Sequence, residues 1–203
     1  MAYSDFTTSD LIKIFGVNFK SEDLFPNLKP IKPTEWLISA IKKSNKMGFL
    51  TEKARSERLV SPVLMELSES NNHSFIIYSG QNLDVDTSLG LKGECDFIFS
   101  FSTIHDFILS PIFCIAEAKR QDIEQGTLQV SAQLIGAKKM NELEKNNIKV
   151  LYSCSTTGVE WRFVKYENNQ IMIDKKRYLI NELDLLLGVL QTIIEESKTQ
   201  NNL

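Results

Sequence analysis

The chain predicts an α/β fold, a mixed central β-sheet flanked by helices, and three features of the sequence carry that expectation. Apolar residues recur at helical spacing up to about residue 70; the period then shortens to strand-like runs; and one long helical pattern separates two groups of such runs. At 203 residues the chain can bury one good core and is short for two. We therefore expect a single domain, with an N-terminal helical appendage over 1–50 and an α/β core over 51–203 that includes a C-terminal helix.

The elements follow in order. Thr8 or Ser9 can cap a short helix through IKIF, and Thr34 caps a stronger pattern, EWLISAIKKSNK, in which Trp36, Leu37, Ala40 and Ile41 recur at helical spacing. TEKARSERLVSPVLMELSES is again helical, with Ala54, Leu59, Val63, Leu64 and Leu67 on one face, and Pro62 should kink or split it. SFIIYSG, GECDFIFSFS and SPIFCIAEA are strands, and TIHDFIL between the last two is ambiguous. A long helix from about Ile123 to Lys145 turns Leu128, Ala132, Ile135 and Met140 inward. KVLYSCST, VEWRFVKYE and QIMID form the second strand group, with turns at Thr157-Gly158 and Asn168-Asn169, and a last helix runs from about Asn181 to Ser197. The helix between CIAEA and KVLYSCS makes those two strands a parallel pair.

Composition excludes several classes. A net charge of −3 and a pI near 5.5 argue against a protein that coats nucleic acid by bulk charge, although IKKSNK, EKARSER, AKR, GAKKM and DKKRY leave room for a local basic groove. Cys95, Cys114 and Cys154 lie in apolar runs without CxxC spacing, so they read as reduced core thiols. No basic-then-apolar leader opens the chain and no apolar run reaches about 18 residues, so a cytoplasmic protein is expected, with no membrane insertion. His73 and His105 stand outside metal-ligand spacing, Gly93 and Gly158 read as turn residues, the serines lack a nucleophile-elbow context, and Trp161 and Phe163 read as packing.

The informative stretch is CIAEAKR, a core strand that ends in charge. Side chains alternate along a strand, so Glu117 and Lys119 share one face. In GECDFIFSFS the odd positions Cys95, Phe97, Phe99 and Phe101 are apolar, which leaves Asp96 on the other face; antiparallel pairing with SPIFCIAEAK would bring it beside Glu117. Two carboxylates that close repel unless a cation or a proton intervenes. Gln129 and Gln133, four apart on the following helix, can lean over the strand end. A further carboxylate can come from the preceding helix, as Glu57 or alternatively Glu66. Asp174 and Lys176 after QIMI repeat the carboxylate-x-lysine spacing, but no acidic strand residue is placed to join them.

At these residues the chain resembles the PD-(D/E)XK nuclease superfamily, the restriction-endonuclease-like fold, over about Thr51 to Tyr178. The family's helix Glu, strand Asp, Glu-x-Lys and helix Gln would here be Glu57, Asp96, Glu117-Ala118-Lys119, and Gln129 or Gln133; STTGVEWRFVKYENNQIMI also looks like a hairpin of its restriction-enzyme-like members. The first acidic motif reads Glu94-Cys95-Asp96 without its proline, and the glutamine motif lacks its aromatic partner. The resemblance implies a metal-dependent nuclease that hydrolyses DNA phosphodiester bonds, of restriction or mobile-element type. It also implies Mg²⁺ or Mn²⁺ held by Asp96, Glu117 and the Ala118 carbonyl, with Lys119 supplying positive charge and Glu57 and the glutamines in support. The alternative is a catalytically inactive protein of this fold that binds nucleic acid or a protein partner. DNA is the expected ligand, and a homodimer or a DNA-targeting protein the expected assembly.

Overall fold

The computed structural model describes residues 1–201. Its centre is an eight-stranded mixed sheet: β1 (Asn18–Glu22), β2 (Ile76–Asn82), β3 (Glu94–Ser100), β4 (Ile112–Ala118), β5 (Val150–Thr156), β6 (Glu160–Glu167), β7 (Gln170–Asp174) and the short β8 (Tyr178–Leu179). The order across the sheet is β1-β7-β6-β5-β4-β3-β2, with β8 paired to β6. The helices are α1 (Thr8–Phe15), α2 (Glu35–Met47), α3 (Glu52–Arg55), α4 (Ser61–Ser70), α5 (Ile123–Leu143) and α6 (Leu183–Asn201).

The expected α/β class holds, and the pairing around CIAEA follows the sequence: β3 and β4 are antiparallel, while β4 and β5 are parallel neighbours joined through α5. Segment 1–50 does more than append helices. Its β1 pairs in parallel with β7 and forms one sheet edge, and a short 3₁₀ turn over Tyr3–Asp5 seats Tyr3 on the outer side of α5. Gly136 permits that seat, since a Cβ there would stand 2.2 Å from the Tyr3 hydroxyl. The Tyr3 hydroxyl instead donates to the Leu83 carbonyl at 2.8 Å. The middle of α5 is consequently buried on both sides, with Gln129 through Ala137 all inside and Leu128 and Met140 only partly so.

Pro62 interrupts the second helical segment without ending it, dividing it into α3 and α4. The chain runs continuously from α3 through a π turn over Ser56–Val60 into α4, with the Ser61 N–H donating to the Ser56 carbonyl. Proline has no N–H for the carbonyl four residues back, and the wider turn before it absorbs the interruption. It also adds a residue to the helical count, so the buried stripe of Leu59, Val60, Val63 and Leu64 no longer extends back to residue 57 along the same face.

Thr34 caps α2 as expected, accepting from the Leu37 N–H at 3.3 Å. Its own N–H and hydroxyl donate to the buried Glu66 carboxylate of α4 at 2.8 and 2.6 Å. Glu66 is therefore the pin between α2 and α4. Hydrogen bonds to a buried charge contribute about 1.5–3 kcal/mol each, so Glu66→Ala should lower unfolding stability by a few kcal/mol; urea denaturation would detect this, and an unchanged midpoint would count against the pin.

Candidate functional site

The site forms where β4 ends. Continued by one residue, the β3–β4 register that pairs Phe97 with Ala116 sets Asp96 opposite Glu117, and facing residues of an antiparallel pair share a sheet face. The backbone ladder stops at that point. The Ala118 N–H, which points toward β3, donates at 2.7 Å to Asp96 Oδ2. On the other side β4 remains tied to β5 through the Lys119 N–H and the Thr156 carbonyl at 2.7 Å.

Glu117 faces α5 and is only 4% exposed. Its Oε1 accepts from Lys119 Nζ at 3.0 Å and from Gln129 Nε2 at 2.5 Å, and its Oε2 accepts from Gln133 Nε2 at 2.9 Å. Both glutamines therefore belong to the site, on one stripe of α5 as their spacing implied. The helix is held in register over β4 at its far end as well, where the Asn141 side chain bonds both the N–H and the carbonyl of Ile112 at 2.8 and 2.7 Å. Asp122 caps its start by accepting from the Gln125 N–H at 2.8 Å.

Glu57 lies elsewhere. Its side chain is 59% exposed and approaches Lys53 at 3.9 Å, because the π turn carries position 57 off the buried stripe. The carboxylate of this helix that reaches the strand end is Glu52, whose Oε2 accepts from the Arg120 N–H at 3.2 Å. Arg55, one turn on, donates to the Thr157 carbonyl at 2.8 Å and fastens α3 across the β5–β6 turn. Sequence reading missed Glu52 because the stretch before Pro62 was read as regular α-helix; the signal available was Thr51 as a cap, which places Glu52 in the first turn. The alternative, Glu66, is occupied between α2 and α4.

Asp174 and Lys176 stand apart from this cluster. Asp174 is fully buried and accepts from the Leu24 and Lys176 N–H groups and the Tyr178 hydroxyl, while the Lys176 ammonium lies over the Tyr178 ring. A cleft of about 730 Å³ also lies elsewhere, between α4 and the β2 edge; its lining includes both histidines and no carboxylate or ammonium residue.

Electrostatics single out Asp96. Burial, and then the like charge of Glu117, push its carboxyl up to about 7; the Ala118 N–H and Lys119 pull it down, and Glu52 adds to the rise. The oxygen donors gathered here are Asp96, Glu117 and the strand-end backbone, with Glu52 at the rim. Among the described residues no group of three or more His, Cys, Asp or Glu forms a metal cage. Two crowded carboxylates that resist joint ionisation, without soft ligands, suit a hard cation such as Mg²⁺ or Mn²⁺, which keeps most of its waters.

The chain matches no family model and no curated protein sequence. No helix among the described residues is long and apolar enough to cross a membrane.

The raised proton affinity of Asp96 fixes a sign. An ordinary aspartate loses its proton near 3.9, so between that value and about 7 the folded chain holds a proton that the unfolded chain has released. Stability in chelator should fall as pH rises through this window, by up to about 1.4 kcal/mol per pH unit. Asp96→Asn should flatten the fall, as thermal unfolding between pH 5 and 8 would record; an unchanged slope would contradict the raised proton affinity of Asp96.

Proposed function

We propose that the protein is a metal-dependent nuclease of the PD-(D/E)XK type, acting on DNA phosphodiester bonds. The observation that carries this reading is the convergence on one buried carboxylate: Glu117 accepts from Lys119, Gln129 and Gln133, and Asp96 is tied to the Ala118 N–H beside it. A solvated ion pair at a strand end would need neither glutamines nor a second carboxylate.

Asp96, Glu117 and the Ala118 carbonyl are the groups that would hold Mg²⁺ or Mn²⁺, which when bound supplies Lewis acidity to the scissile phosphate and a more acidic water. Everything else is the work of side chains. Gln129 and Gln133 fix the plane of the Glu117 carboxylate, one on each oxygen. Lys119 carries the positive charge that offsets charge developing on the phosphate or orients the attacking water. Glu52 lies at the mouth, where a carboxylate can accept a proton from water or steady a hydrated ion.

One observation favours the second reading, a nuclease fold that binds without cutting. Both Glu117 oxygens already have donors, and Oε1 has two. Oε1 is closed to a cation unless Lys119 or Gln129 yields, which leaves only the second lone pair of Oε2; a chain in which that single position does not suffice would bind nucleic acid or a protein partner and leave it intact.

Plasmid DNA incubated with the protein and Mn²⁺ or Mg²⁺ tests both. The parent should nick or linearise it, and chelator should stop the reaction. Lys119→Ala should keep the circular-dichroism spectrum and lose about 10²–10³-fold in rate, the size of effect seen when one charge-stabilising group is removed, with Glu117→Gln losing at least as much. Retarded migration of DNA with no cleavage in any divalent cation would favour the binding reading, and full activity of Lys119→Ala would sink the assignment of that residue.

A further inference from the structure

Gly126 occupies the first turn of α5 and has no other assigned part in the site. A Cβ built on it would stand 2.1 Å from Ser155 Oγ, 2.9 Å from Lys119 Cγ and 3.1 Å from Ser155 Cβ. The helix therefore presses its bare backbone against the aliphatic stem of the lysine and against the β5 residue that pairs with Glu117. Ser155 is fully buried, and its hydroxyl has no hydrogen-bond partner among the described residues, so it meets the helix as a surface of contact. Three residues further along the same helix, Gln129 reaches the very oxygen of Glu117 that Lys119 holds.

We propose that Gly126 is a positioning residue for Lys119: the missing side chain lets α5 and Ser155 enclose the lysine stem and turn its ammonium inward onto Glu117. A lysine at a strand end ordinarily extends its charge into water, whereas this side chain is only 16% exposed. The glycine is otherwise an unfavourable choice inside a helix turn, where alanine is the better helix former. Its presence is explained by the lack of room beside Ser155 and the lysine stem together.

The consequence for catalysis rests on the nuclease reading; the geometry of the lysine does not, and the two are tested separately. Amine labelling of the intact protein, with Lys119 followed by peptide mass spectrometry, reads the position of the ammonium directly. In Gly126→Ala the stem is pushed out, and Lys119 should label several-fold faster than in the parent while the other lysines keep their rates. If the parent cleaves DNA, the same variant should lose about 10²-fold in kcat with little change in KM, the usual result of displacing a reacting group by about 1 Å. Gly126→Ala/Ser155→Gly covers the case in which the single variant does not fold. It removes both Ser155 atoms from the path and leaves the 2.9 Å approach to the Lys119 stem, so faster Lys119 labelling is again expected. Unchanged Lys119 labelling in a folded variant overturns the proposal. A parent that cleaves nothing, with Lys119 labelling raised in the variant, overturns the nuclease reading and leaves the positioning intact.

Discussion

A carboxylate buried at the end of a central strand is the constraint around which the rest is arranged. Taking Glu117 out of water costs several kcal/mol, and charge-assisted hydrogen bonds return about 1.5–3 kcal/mol each. Three of them, from Lys119, Gln129 and Gln133, are of the right size to offset that cost. Two come from α5, so this helix must lie over β4 in one register only. Asn141 bonded to the Ile112 backbone and the bare face of Gly126 are what that register requires at its two ends.

The same demand opens the sheet. Asp96 can reach the Ala118 N–H because the β3–β4 ladder has already ended, so the place where strand pairing fails is also where charge collects. Helix α3 then crosses this end, fastened by Arg55 to the β5–β6 turn and by Glu52 to the Arg120 N–H. Close to the start of α5, Arg177 ties Glu124 to Glu160, with Arg162 also approaching Glu124. Positive charge on that flank is thus already matched, which agrees with a chain of net charge −3 that concentrates its chemistry at one point.

What could be read in the sequence was what local pattern determines. The alternation in GECDFIFSFS, the apolar run that turns to charge at Glu117, and the four-residue spacing of Gln129 and Gln133 each fix a face, and each face is as read. The choice between Glu57 and Glu66 was not legible, and Glu52 was not weighed, because the face each presents depends on the π turn that precedes Pro62. Strand β1 was missed for a different reason: Asn-Phe-Lys-Ser-Glu is short, polar and at an edge, so only its pairing with β7 makes it a strand. The inward face of α5 was underestimated since nothing near residue 130 announces that Tyr3 will cover its other side.

That edge strand has a kinetic meaning. Residues 18–22 find their partner only in residues 170–174, so the sheet cannot be completed until most of the chain has left the ribosome. Closing so long a loop early is entropically costly, whereas β2 to β4 and then α5 with β5 pair with near neighbours in sequence. The order of synthesis therefore builds the Glu117 end of the sheet while the N-terminal segment still lacks its mate. Assembly of β1 is a non-local step of the kind that slows folding, and it joins segments about 150 residues apart.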